Sequence, residues 1–336
     1  MEVFDKDYKK EATLLGFIDR KLPEFKKYDM GWIAGASRPG LLARVKDYEY
    51  LSTNLVKVRD NQTLILAGSR ELWANIDGIN PEMSSLLYTK EIINIDKLPV
   101  LLKVGNNEEA IKEGQKYLTY LANSYGIKLD IDNPFIEYKT KEECPEGRFP
   151  KRVYPNYNKD ETGKLTESLM AEDLSKQFLQ QNKDKFVIIG TKEEQSQRPN
   201  TTTTARDAAE FLVKQILEGV YKDQKEFVIL FESNNPYIER QTLATQASVD
   251  QVLKKYGLDL KGYTIKIDGV GFANKQDNVT IHSEFGALMA EKWKGVNQTQ
   301  ENSLEYIKTL LFQTRDHGLT IDPMPMIGSI SSDDVE

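Results

Sequence analysis

The chain has 336 residues, 39% of them hydrophobic and 29% charged, enough apolar material for a sizeable core under a solvated surface. Its 45 basic and 52 acidic side chains give a net charge of -7 with no dense Lys/Arg block, which argues against a nucleic-acid partner. One cysteine excludes an intrachain disulfide, and Cys144, His282 and His317 are too few for a zinc cage, so no metal site is expected.

The first thirty residues mix both charge signs through their apolar positions and read as neither a signal peptide nor a membrane span. Residues 1–60 are expected to form a helical extension wrapped onto the core. Gly31 to Leu51 is similar to a segment of dual-specificity phosphatases, whose thiolate chemistry needs an arginine beyond the cysteine. Here Glu143 precedes Cys144 and Pro150 stands at the arginine position, so no phosphocysteine chemistry follows.

Further along, apolar runs rich in β-branched residues predict strands at Gln62–Gly68, Glu91–Ile95, Leu98–Val104, Lys185–Gly190, Glu226–Glu232 and Tyr263–Gly269. Several are too uniformly apolar to be half-solvated, which suits a parallel sheet covered on both faces. Helical periodicity marks the segments that end at Gly126, Gly219 and Gly257, and a further one from Leu165 that carries Leu169, Leu174 and Phe178. The alternation implies an α/β fold with a doubly wound, mostly parallel, Rossmann-like sheet over residues 61–320. The Pro-, Asn- and charge-rich stretch 132–164 reads as an irregular insertion or lid, and 321–336 as a flexible acidic tail.

In such a sheet, ligands sit where the carboxyl ends of strands lead into helix N-termini. The first polar loop of this kind, "GTKEEQSQRPNTTTT", runs into four threonines. A helix beginning there offers free N–H groups and the positive end of its dipole, the hydroxyls of Thr201 to Thr204 add donors, and Arg198 adds a guanidinium. That describes a phosphate or carboxylate seat, while a cap on the helix explains a lone threonine equally well. A second loop, "ESNNPYIERQ", places Ser233, Asn234 and Asn235 before another helix start with Arg240 about one turn in. Gly68 and Gly105 follow predicted strands but lack the spacing of phosphate loops.

Residues 165–241 resemble the core of the YdcF/SanA/ElyC-like α/β domains. Glu167 and Met170 match the family's "EA…M" helix; Glu193, Ser196, Asn200, Thr201 and Ala205 match its "E-x-x-S-x-N-T-x-x-N-A" stretch; Arg240 matches the arginine of "H-x-x-R-A". The chain departs from the pattern by inserting Arg198 and Pro199, by Thr204 in place of asparagine and by Tyr237 in place of histidine. The resemblance implies a Rossmann-like binder of small molecules, with S-adenosylmethionine a ligand known in the family.

In the third loop, Asp268 ends a predicted strand, and His282 stands beside Ser283 and Glu284 at a predicted helix entrance. Glu193, Asp268 and His282 are the candidate acid/base residues. Ser196, Arg198, Asn200, Thr201, Thr204, Asn234, Asn235, Tyr237 and Arg240 are the candidate ligand contacts. The expected function is the binding of a small anionic or nucleotide-like ligand, S-adenosylmethionine or a phosphorylated metabolite, by a cytoplasmic protein without membrane or nucleic-acid partners. This requires Glu193, Thr201, Asn234, Arg240 and Asp268 to converge on one pocket. The alternative is a protein-interaction scaffold or secreted effector, with the acidic tail as its address.

Overall fold

The computed structural model describes residues 12–13, 16–59, 62–77, 108–137, 153–158, 163–179, 185–192, 199–222, 224–273 and 278–294. The predicted strands at 91–95 and 98–104 and the tail at 321–336 lie outside these. The chain divides into units Met1–Leu288 and Met289–Glu336; only residues 289–294 of the second are described, and the fold set out here belongs to the first.

In chain order, β1 (Lys27–Tyr28) and β2 (Met30–Ala34) lead into α1 (Arg38–Asn54), followed by β3 (Lys57–Val58), β4 (Thr63–Gly68) and the short α2 (Ala74–Asp77). Then come α3 (Glu108–Ser124), β5 (Phe135–Glu137), β6 (Val153–Pro155), α4 (Glu167–Phe178), β7 (Phe186–Thr191) and α5 (Thr201–Leu217). The described part closes with β8 (Glu226–Asn234), α6 (Ile238–Lys255), β9 (Thr264–Phe272) and α7 (Asn278–Lys294). The expected stops after α5 and α6 are present: Gly219 and Gly257 have φ of 77° and 62°, a region that costs glycine little.

Five strands form one parallel sheet in the order β7-β4-β2-β8-β9. Taken in chain order they run 3-2-1-4-5, the doubly wound Rossmann-like arrangement, with its direction reversing between β2 and β8. Every residue of β2 and β4 is buried, as strands covered on both faces must be, whereas edge strand β7 is partly exposed. Period-2 alternation then sorts side chains between two cores. Ile33, Ile65 and Leu230 pack with Leu41 and Val45 of α1, Leu118 of α3 and Met170 and Leu174 of α4. Trp32, Leu64, Ile229 and Ile267 face the other way, onto Ala205, Ala208 and Leu212 of α5 and Val249 of α6.

Helix α1 lies close on the sheet because Gly31 has no side chain. A Cβ there would fall 1.9 Å from the hydroxyl of Tyr48, which is 3.0 Å from Thr63 Oγ1. Residues 1–60 are therefore not a helical extension, because Met30–Ala34 is the central strand of the sheet and α1 its first crossover helix. Upstream, the chain is strung along β9: Lys21 exchanges backbone hydrogen bonds with Gly271 at 3.0 and 3.1 Å. The 132–164 insertion is anchored by the antiparallel pair β5 and β6. Among the described residues, no helix is long and apolar enough to cross a membrane, and no group of three or more His, Cys, Asp or Glu could hold a metal ion.

Candidate functional site

At the carboxyl end of the sheet, the turn from β2 into α1 reads Gly35-Ala36-Ser37-Arg38-Pro39-Gly40. This G-x-S-x-x-G follows the first strand and opens the first helix, the position where dinucleotide-binding folds carry G-x-G-x-x-G. Gly35 is required by contact, since a Cβ would lie 2.4 Å from Glu167 Oε1 and 2.5 Å from the Leu66 carbonyl. Ser37 is the N-cap of α1, yet its side chain caps nothing. The turn is held from behind by Arg44, whose Nη1 donates to the carbonyls of Ala34 and Gly35 at 2.9 and 2.6 Å.

Beside it, β4 ends at Gly68 and Arg70 follows. Arg70 closes its fork on Asp77, with bonds of 2.8 and 2.9 Å, and sets its Nε 3.4 Å from Glu167 Oε2. The start of α4 is latched to the same loop: Glu167 N–H donates to the Arg70 carbonyl at 2.9 Å and Ser168 Oγ to the Gly68 carbonyl at 2.8 Å. Glu167 is buried, and the loss of solvent raises its pKa above the ordinary carboxylate value, against the pull of Arg70 and of the Gly68 N–H.

The four threonines divide by role. Asn200 and Thr203 form a capping box for α5: Thr203 N–H donates to Asn200 Oδ1 at 3.1 Å, and Asn200 N–H donates to Thr203 Oγ1 at 2.9 Å. Thr204 turns its hydroxyl back to the carbonyls of Asn200 and Thr201, at 3.0 and 3.2 Å. Only Thr201 points at ligand chemistry, for it lines a cavity with its hydroxyl uncommitted.

That cavity has a volume of about 240 Å³ and is walled by Gly35, Ser37, Arg70, Glu167, Thr201 and Gln241, among others. The N-termini of α1, α4 and α5 all open on it. Gln241 is only 9% exposed, and its Oε1 accepts from Ser233 Oγ at 2.5 Å, which leaves its amide N–H groups as donors. Neither Ser37 Oγ, Thr201 Oγ1 nor Gln241 Nε2 has a hydrogen-bond partner among the described residues. Asn200 and Thr204 also line the cavity, although their polar groups serve the cap.

Of the remaining expected contacts, the four that are described do not line it. Asn234 is buried and accepts from Arg44 Nε at 2.8 Å; Asn235, fully buried, donates to the Asp19 carbonyl. Tyr237 is the residue preceding α6, and Arg240 is ion-paired with Glu284. Asp268 is not at a strand end. It sits in the middle of β9, where its carboxylate accepts from the Glu24 N–H at 2.8 Å and from the Tyr28 hydroxyl, so it ties the N-terminal segment to the sheet. His282 lies one turn inside α7 rather than at its entrance, and its side chain falls outside the described residues, as do Glu193, Ser196 and Arg198. Of the five residues whose convergence the expected ligand site required, Asn234, Arg240 and Asp268 do not line this cavity and Glu193 lies outside the described residues, so that site is overturned; a different set of side chains meets at the strand ends.

Behind the turn lies a buried polar cluster that sequence reasoning missed. Arg44, fully enclosed, has its pKa lowered to about 10 by loss of solvent, while nearby Glu232 opposes the shift. Glu232 is fully buried with no donor to either oxygen, and loss of solvent together with the negative charge of Asp47 raises its pKa well above the ordinary value. Asp47 is in turn paired with Arg20 at 2.7 Å.

No family model, curated protein or solved structure matches this chain.

Proposed function

We propose that this chain binds a small anionic or nucleotide-like ligand in the cavity at the ends of β2 and β4. One observation carries the reading: three uncommitted polar groups, Ser37 Oγ, Thr201 Oγ1 and the nine-tenths-buried Gln241 amide, border one cavity onto which the helices α1 and α5 open. Each keeps a hydrogen-bonding atom open to the cavity instead of to a protein partner, so a bound ligand can complete the set. Helix N-termini favour negative charge, and the Arg44 guanidinium holds the turn from behind.

A phosphorylated metabolite or S-adenosylmethionine fits this chemistry. The resemblance to YdcF-like domains supports it too, since Glu167, Asn200 and Thr201, which carry that resemblance, border the cavity. The ligand's anionic end belongs at the Ser37 turn and the α5 entrance, with Gln241 donating from the side.

The test is a thermal-unfolding panel of nucleotides, S-adenosylmethionine, sugar phosphates and inorganic phosphate. A ligand at about a hundred times its Kd adds about 2.7 kcal/mol to stability and raises the melting temperature measurably. The reading expects at least one such shift, reduced in a Ser37→Ala, Gln241→Ala double variant. A shift of undiminished size in that variant, or none with any compound in folded protein, contradicts it.

A further inference from the structure

Glu167 stands where an anion bound at the strand ends has to come. Its Oε1 occupies the space over Gly35, 2.4 Å from where a Cβ would be, and it walls the same cavity as Ser37, which holds the position where in G-x-G-x-x-G turns the backbone approaches the phosphates. Its Oε2 is 3.4 Å from Arg70 Nε, but the Arg70 fork is already committed to Asp77. An ionised Glu167 and a bound oxyanion would thus face each other at contact distance, sharing one edge of a guanidinium between them.

We propose that Glu167 takes up a proton from solvent when an oxyanion occupies the cavity, and that the protonated carboxyl donates a hydrogen bond to it. This rests on the reading of the cavity as an anion site and adds the group that governs admission.

The neighbours of Glu167 are few enough to assign the proton. Arg70 and Asp77, from the exit of β4 and from α2, form a bidentate pair of no net charge. The backbone of Gly68 lowers the Glu167 pKa, and Arg44 from α1 acts from behind the turn. The cavity residues of α5 and α6, which are Thr201, Thr204 and Gln241, do not titrate. Burial already favours the neutral acid in the empty site, which makes the proton inexpensive to add. Once protonated, Glu167 changes from a group that repels an anion into a donor like Ser37 and Gln241.

Inorganic sulfate is a suitable probe because its charge does not change over the range in which Glu167 titrates. Its binding is measured by calorimetry at fixed ionic strength, in buffers of different ionisation enthalpy, against pH. The expected result is an uptake approaching one proton per sulfate and an affinity that falls by up to about tenfold per pH unit above the Glu167 titration. Glu167→Gln keeps a neutral donor of the same shape and is expected to bind with no proton uptake and little pH dependence. Sulfate binding to the wild type without proton uptake, or an unchanged pH slope in the Gln variant, overturns the inference and leaves the anion site standing. Failure of both folded proteins to bind sulfate at any pH overturns the anion site, and the inference with it.

Discussion

Arg44 of α1 and Asn234 of β8 are joined across the crevice where the sheet reverses direction, with Nε donating to Oδ1 at 2.8 Å while Nη1 holds the carbonyls of Ala34 and Gly35. One guanidinium thereby fixes the turn at the end of the central strand to its neighbour. Asp47 and Glu232 lie beside it, both fully buried.

Removing that guanidinium without replacing the network leaves acidic groups and backbone carbonyls unmatched in the interior. Arg44→Leu is expected to destabilise the fold by about 3–5 kcal/mol, read from urea unfolding. Arg44→Lys is also expected to lose stability, because an ammonium cannot span Asn234 and both carbonyls in one plane. A loss below about 1 kcal/mol for the leucine variant would mean that the cluster does not hold the turn.

The threonine run separates folding from binding. Asn200→Ala breaks the capping box of α5 and is expected to cost about 1 kcal/mol of stability. Thr201→Ala removes a hydroxyl with no internal partner and is expected to leave stability within about 0.5 kcal/mol while weakening ligand binding. Paired melting and titration experiments on the two variants check the division, and a stability loss for Thr201→Ala equal to that for Asn200→Ala would contradict it.

Glu232 sets a pH dependence of defined sign. Its folded-state pKa is raised, so the folded chain holds this proton more tightly than the unfolded chain does. The stabilisation is complete below the unfolded value of about 4.3 and is lost as pH rises toward the folded value, by up to about 1.4 kcal/mol per unit. Glu167 contributes with the same sign. Urea midpoints measured across that window should therefore fall more steeply in the wild type than in Glu232→Gln. Parallel curves would show that Glu232 is not the group responsible.

What the sequence made legible followed from length and uniformity. The apolar runs of β4, β7, β8 and β9 and the periodic helices α3 to α6 stand out because each is a long, regular pattern. Strand β2 is only five residues, MGWIA, behind a stretch of mixed charge, and it was absorbed into an expected helical extension. With it went the Gly35 turn, Ser37 and Arg44, although an apolar run ending in Gly-x-Ser-x-Pro is a strand leading into a helix start.

Asp268 misled for a different reason. The Asp-Gly-Val-Gly stretch resembles a turn, yet β9 runs on to Phe272 because its glycines admit close neighbours. A Cβ on Gly269 would lie 1.7 Å from Thr242 Oγ1, and one on Gly271 2.3 Å from the Ser233 carbonyl. Gln241 had no signal at all, since a glutamine in a helix becomes a site residue only through what the sheet places beside it. Thr201 and Asn200 both border the cavity, with Asn200 spent on the cap of α5.

The central claim is that a ligand completes the polar groups at the ends of β2 and β4. Its most direct test is a crystal structure of the protein with the compound that most raises its melting temperature. The account predicts ligand density in the cavity, with an anionic or polar group in hydrogen-bond contact with Ser37, Thr201 and Gln241. Density bound elsewhere, with those three groups still unpartnered, would contradict it.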